Sequence, residues 1–134
     1  MKFKHFLVLT VVFALVALGT SCSKPSENKI IGKWQLVSLQ YHSSANPDQW
    51  QTETPDPDEV NVIEFRNDGN CLIYENGEIE DSGKWSLDKE NEKLIIDGEA
   101  YDITKLTSKE MVLNVKVTIG EGWIEEQVNL KKVK

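Results

Sequence analysis

An all-β fold is predicted, an antiparallel up-and-down meander closing into a small barrel of about eight strands. Three observations predict it. No segment after Cys22 keeps a helical period, and at most a turn precedes Trp34. From Ile30 onward, short segments alternate apolar and polar residues. Clusters of Gly, Asn, Asp and Ser separate these segments at close intervals, so each strand meets its successor, and closure would remove the exposed edges.

The chain before Ile30 reads as an export signal and a tether. Met1-Lys2-Phe3-Lys4-His5 is basic, Phe6–Leu18 is an apolar run of thirteen residues, and Gly19-Thr20-Ser21 are small. These are the three parts of a secretory signal. A bilayer-spanning helix needs about 20 apolar residues, so a permanent transmembrane helix fits less well. Leu18-Gly19-Thr20-Ser21-Cys22 resembles the bacterial lipobox, with Gly19 where Leu, Val or Ile is usual and Leu18 one place further back. That resemblance implies a lipoprotein-type signal peptide over residues 1–21 and palmitate-type acyl chains on Cys22. The expected location is the bacterial cell envelope, as an outer-membrane lipoprotein of a Gram-negative cell. Ordinary cleavage, leaving Cys22 as a free thiol, is the alternative. One acyl chain anchors a protein marginally and two or more do so stably. Residues 22–29 are then the lipidated cysteine and a polar tether, and residues 30–134 one domain.

Charge and cysteine content narrow the partners. Loss of Lys2 and Lys4 with the signal takes the formal charge from −7 to −9. An acidic surface argues against nucleic acid. Cys71 is the only cysteine besides Cys22, so no intrachain disulfide is expected within the domain.

The strands follow in order. The first segment, from Ile30 onward, has Trp34, Leu36 and, by the same alternation, Ser38 on one side. Residues 42–58, containing Pro47, Pro55 and Pro57, read as a long polar loop with room for a short strand near Trp50–Thr54. Val60–Arg66 alternates around Ile63 and Phe65, Asn67-Asp68-Gly69-Asn70 turns, and Cys71–Glu75 returns. Asn76-Gly77 is a strong two-residue hairpin signal, because both positions tolerate positive φ. Glu78–Leu87 carries Gly83, Trp85 and Leu87 on one side; Lys93–Asp97 offers Leu94 and Ile96; Glu99–Leu106 offers Tyr101 and Ile103. Met111, Leu113, Val115, Val117 and Ile119 mark the clearest half-buried strand, and Trp123–Val133 closes the set.

Ile31-Gly32-Lys33-Trp34-Gln35-Leu36-Val37-Ser38 resembles the Gly-x-Trp opening strand of lipocalins. Ile63-Glu64-Phe65-Arg66-Asn67-Asp68-Gly69 and Gly83-Lys84-Trp85-Ser86-Leu87 are similar to later strands of small bacterial lipocalin-like lipoproteins. The resemblance implies a lipocalin-like barrel, with Gly32, Trp34, Phe65, Gly83 and Trp85 as its structural core, in a family with no established common ligand. Truncating a buried Trp costs roughly 3–5 kcal/mol, so Trp34 and Trp85 are expected to support folding before function.

Several chemistries lack their residues. His42 is the only histidine after the signal, which leaves a catalytic triad or a zinc site without partners. Asp56-Pro57-Asp58-Glu59 lacks the EF-hand spacing, and Glu78, Glu80 and Asp81 read as solvated acids. Neither an enzyme, a metal nor a cofactor is expected.

Two functions compete. The first is a binding module that takes a small hydrophobic ligand at one barrel end, because the inward candidates are bulky and leave little interior. Trp50, on a gating 42–58 loop, Tyr101 and Lys105 are its candidate ligand-binding residues. Lys105 shares the parity of Tyr101 and Ile103, whereas Arg66, opposite to Phe65, points outward. The second is a non-catalytic scaffold for protein contacts with a filled barrel, using Trp50 and Trp123.

Overall fold

The computed structural model describes residues 25–134; the expected signal and Cys22 lie outside the described residues. A single helical turn, α1 (Glu27–Ile30), precedes nine strands. These are β1 (Gly32–Ser43), β2 (Asn46–Glu53), β3 (Asn61–Phe65), β4 (Asn70–Glu75), β5 (Glu78–Asp88), β6 (Lys93–Ile96), β7 (Glu99–Leu106), β8 (Glu110–Ile119) and β9 (Gly122–Val133). Each strand from β3 to β8 pairs antiparallel with its successor, β1 pairs with β3, and β9 returns to β1, closing a ring of eight strands. The expected meander is the observed one.

The strand outside the ring is β2. The first half of β1, Gly32–Gln35, pairs with β3, and its second half, Leu39–Ser43, pairs with β2. Residues 42–58 are therefore not one long loop. They hold the end of β1, a turn at Ser44-Ala45 and all of β2, and only residues 54–60 remain as loop. No apolar alternation marks β2, because all eight of its residues are exposed. Pro47 is tolerated there because an edge strand needs no amide on its free side.

One end of the barrel is plugged. Trp34, Phe65, Leu94, Met111 and Cys71 are buried there with Ile30 from α1. Indole Nε1 of Trp34 donates to the Ile30 carbonyl at 2.7 Å, which ties α1 across the barrel end. Trp85 Nε1 likewise donates to the Arg66 carbonyl at 2.8 Å, and its ring meets Phe65 edge-on at 5.4 Å. From Pro25, itself buried, the expected polar tether is thus part of the closed end. Lys132 is the internal cation, and its shared parity with Val128 and Leu130 on β9 is the sequence signal for it. Its ammonium lies 4.6 Å above the Trp34 ring and donates to the Ile31 carbonyl at 2.6 Å, and burial lowers its pKa. The side chain passes over Gly32, where an added Cβ would sit 2.7 Å from Nζ, and Gly32 holds φ +128°. Glycine is required there on both counts.

β-bulges reverse two inward assignments: past a register shift after Leu36, Ser38 pairs with Asn129 and faces outward, and Lys105 is turned out on β7. Ile103 pairs with Leu113, but the register shifts at Thr104, so Lys105 pairs with Val112 and Leu106 with Met111. Lys105 therefore faces outward, ion-paired to Glu110, and Leu106 takes the inward place.

Candidate functional site

The end opposite α1 stays open, because β8 and β9 run on past the shorter strands around them. Val115, Val117 and Ile119 of β8 pair with Glu126, Ile124 and Gly122 of β9. Beyond Asn114 the β7 side of β8 has no partner strand. Inward-facing apolar side chains consequently meet water: Val117 is 41 % and Ile119 59 % exposed. They form a hollow of about 310 Å³ with Tyr101, Ile124, Glu99 and Glu126. A second, smaller hollow of about 130 Å³ opens between β1 and β3, floored by Trp34, Leu36, Ile63 and Leu130. The barrel is neither empty nor completely filled: it is plugged at one end and cupped at the other.

Tyr101 sets the polarity of the cup. Its hydroxyl donates to Glu99 Oε2 at 3.2 Å. Burial, with Glu99 and Glu126 nearby, pushes the phenol up to about 12, so Tyr101 stays a neutral donor at any physiological pH. Tyr41, paired with Glu126 across β1 and β9, is on the same inner face, and its hydroxyl reaches Gln51 Oε1 at 3.0 Å and Glu53 Oε1 at 3.2 Å. Glu99, Ile124 and Glu126 were not singled out from the sequence. Strand parity with Tyr101 and Val128 was the signal that could have found them.

The three residues expected to contact ligand do not meet. Tyr101 lines the cup, whereas Lys105 faces outward nearer the closed end. Trp50 stands on β2 opposite His42 and belongs to an outer cluster. Its ring stacks on His42 at 3.8 Å, and Trp123 meets the same imidazole edge-on at 5.0 Å. Lys116 Nζ lies 4.1 Å over the Trp123 ring. His42 Nδ1 is 2.8 Å from the Pro47 carbonyl and Nε2 is 2.6 Å from Glu125 Oε1. Carbonyl and carboxylate both accept, so the doubly protonated ring satisfies both. The Glu125 bond raises the His42 pKa against the opposing effect of burial, and the same bond lowers that of Glu125. No local pattern betrays this pair, which is 83 residues apart in sequence.

The largest hollow among the described residues, about 550 Å³, lies outside the barrel over β1, β8 and β9, and its lining includes Val37, Ser38, Lys105, Glu110, Val112 and Asn129. The expected ligand residue Lys105 thus borders this hollow and not the cup. Asn129 Nδ2 donates to Ser38 Oγ at 3.1 Å and Gln127 Nε2 to Gln40 Oε1 at 2.9 Å. Val37, Val112 and Leu130 are interleaved there with the Lys105–Glu110 ion pair and the Ser38–Asn129 bond, and the hollow lies on the outer face of the sheet, whereas the cup lies within the barrel end and is the better candidate.

A model of the lipocalin-like domain family matches residues 30–113. Among curated proteins, no sequence matches this chain. Solved structures with similarity include bovine odorant binding protein in complex with a selenium-containing odorant, at 17 % identity and a TM-score of 0.47, over 82 % of this chain and 74 % of that one. The same bovine protein complexed with its natural ligand gives 17 % identity and a TM-score of 0.45, over 82 % and 75 % of the two chains. The family match spans more than half of the sequence and runs from the foot of the plug into β8, and on that ground this chain belongs to the lipocalin-like domain family.

Proposed function

We propose that this protein is an exported, lipid-anchored binding protein that takes a small, largely apolar ligand at the open end of its barrel. The observation that carries the reading is the cup itself. Val115, Val117, Ile119 and Ile124 present apolar surface around about 310 Å³ at one end, while Trp34 and α1 close the other. Apolar side chains that face inward yet stay solvated regain their burial only when something apolar covers them. Acyl chains on Cys22 would hold the barrel at the outer membrane of the bacterial envelope, close to a source of such ligands.

The test is a titration with N-phenylnaphthylamine, an uncharged apolar fluorophore, against wild type and Val115→Trp, which fills the cup and leaves the plug intact. Enhanced emission with wild type, reduced in Val115→Trp, is the expected outcome. Binding weaker than about 100 μM, roughly −5.5 kcal/mol, would refute the reading. One observation favours a second reading, a scaffold for protein contacts. Trp50 is 46 % exposed on the outer face beside His42 and Trp123, and exposed tryptophans are enriched at binding hot spots.

A further inference from the structure

Resting on the proposed binding reading, the arrangement of charge inside the open end goes further and selects the ligand's headgroup. We infer that the cup takes a cationic amphiphile, an ammonium group on a short apolar tail, in preference to the corresponding carboxylate.

Every charged side chain lining the cup is acidic: Glu99 enters from β7 and Glu126 from β9. Across the barrel, the pairing of Asp81 with Ile73 turns a third carboxylate to the inner face. The cations are elsewhere. Lys105 is turned outward by the bulge at Thr104 and paired with Glu110. Lys93 is bound to Asp102 at 2.8 Å, and Lys116 stands over Trp123 on the outer face. The inward Lys132 is at the closed end, with its ammonium on the Ile31 carbonyl. No lysine or arginine among the described residues lines the cup.

The donors and acceptors agree with the charge. An ammonium brings up to three N–H donors and no acceptor. Glu99 has one acceptor position occupied by the Tyr101 hydroxyl and keeps other lone pairs, and Glu126 adds two more oxygens. A carboxylate in the same place would meet two like charges beside a phenol already committed to Glu99. The apolar wall of Val115, Val117, Ile119 and Ile124 is chemistry for the tail, and it is present whatever the headgroup. Cup and charge are thus two separate observations, and each can fail alone.

Three ligands that differ only in the headgroup separate them. The full chain, purified as the expressing bacterium processes it, is titrated by calorimetry with octylammonium, octanol and octanoate at neutral pH. Octylammonium should bind at least about tenfold tighter than octanoate, with octanol between them, since a screened carboxylate–ammonium pair contributes a factor of a few and two carboxylates act together. In the Glu99→Gln/Glu126→Gln double variant the gap should shrink to about threefold or less, with the octanol affinity kept. Equal or tighter binding of octanoate by wild type would overturn the inference and leave the apolar site standing. A gap that survives in the double variant would overturn it as well, by removing those carboxylates as its cause. If wild type binds none of the three and also fails to bind N-phenylnaphthylamine, the site itself falls, and this inference falls with it.

Discussion

Replacing Trp34 by Phe tests the plug that makes one end of the barrel blind. Trp34 is fully buried, and its Nε1 donates to the carbonyl of Ile30, a residue that is also fully buried. Phenylalanine keeps a ring in place but removes the donor and two ring carbons. An acceptor left without a partner in a buried site costs about 1–3 kcal/mol. The lost carbons add about 1.5 kcal/mol at roughly 0.8 kcal/mol each. A destabilisation of about 2.5–4.5 kcal/mol is expected, a large share of the 5–15 kcal/mol typical of a domain. Urea unfolding followed by circular dichroism reads it directly: with m of about 1–3 kcal/mol/M, the midpoint falls by about 1–4 M at unchanged m. Trp50→Phe is the comparison. Trp50 is 46 % exposed and makes one ring stack, so its loss should cost less than about 1.5 kcal/mol. Equal midpoint shifts for the two variants, or a shift below about 0.5 M for Trp34→Phe, would refute the assignment of Trp34 as the plug.

Two further outcomes are expected. His42 has a folded-state pKa above its ordinary 6.5, chiefly through its bond to Glu125, so its stabilisation is complete below that value and is lost as pH rises through the folded-state pKa. The thermal midpoint of wild type should therefore exceed that of His42→Gln most at about pH 6, and the difference should narrow toward about pH 9; a difference that does not change with pH would remove the charged pair as its cause. For the anchor, labelled palmitate fed to an expressing bacterium should enter wild type and not Cys22→Ala, and equal labelling of both would remove Cys22 as the attachment point.

Much of the barrel can be read from local pattern. Alternation over Met111–Ile119 and Tyr101–Ile103, and the paired positive φ of Asn76 and Gly77, at 52° and 85°, are properties of a few consecutive residues. These are set by the two-residue period of a strand and by the sterics of a tight turn. The same locality explains why Trp34, Phe65 and Trp85 could be assigned to the core before their partners were known.

What escaped local reading depends on which strand lies next. β2 has no buried face, so it exists only because the upper half of β1 is left without β3 and offers an unpaired ladder. Lys105 has inward parity in the sequence and outward direction in the barrel, because one extra residue at Thr104 is absorbed in pairing with β8. His42 meets Glu125, and Glu99 shares a cup with Glu126, only after β9 has closed on β1 and folded back along β8. The sequence by itself determined that this chain makes strands, where most of them turn, and which large side chains they bury. Tertiary structure alone decided which end is plugged, which end is cupped and what sign of charge the cup carries, because hydrogen-bond register across a closed sheet is settled between segments distant along the chain and by no one of them alone.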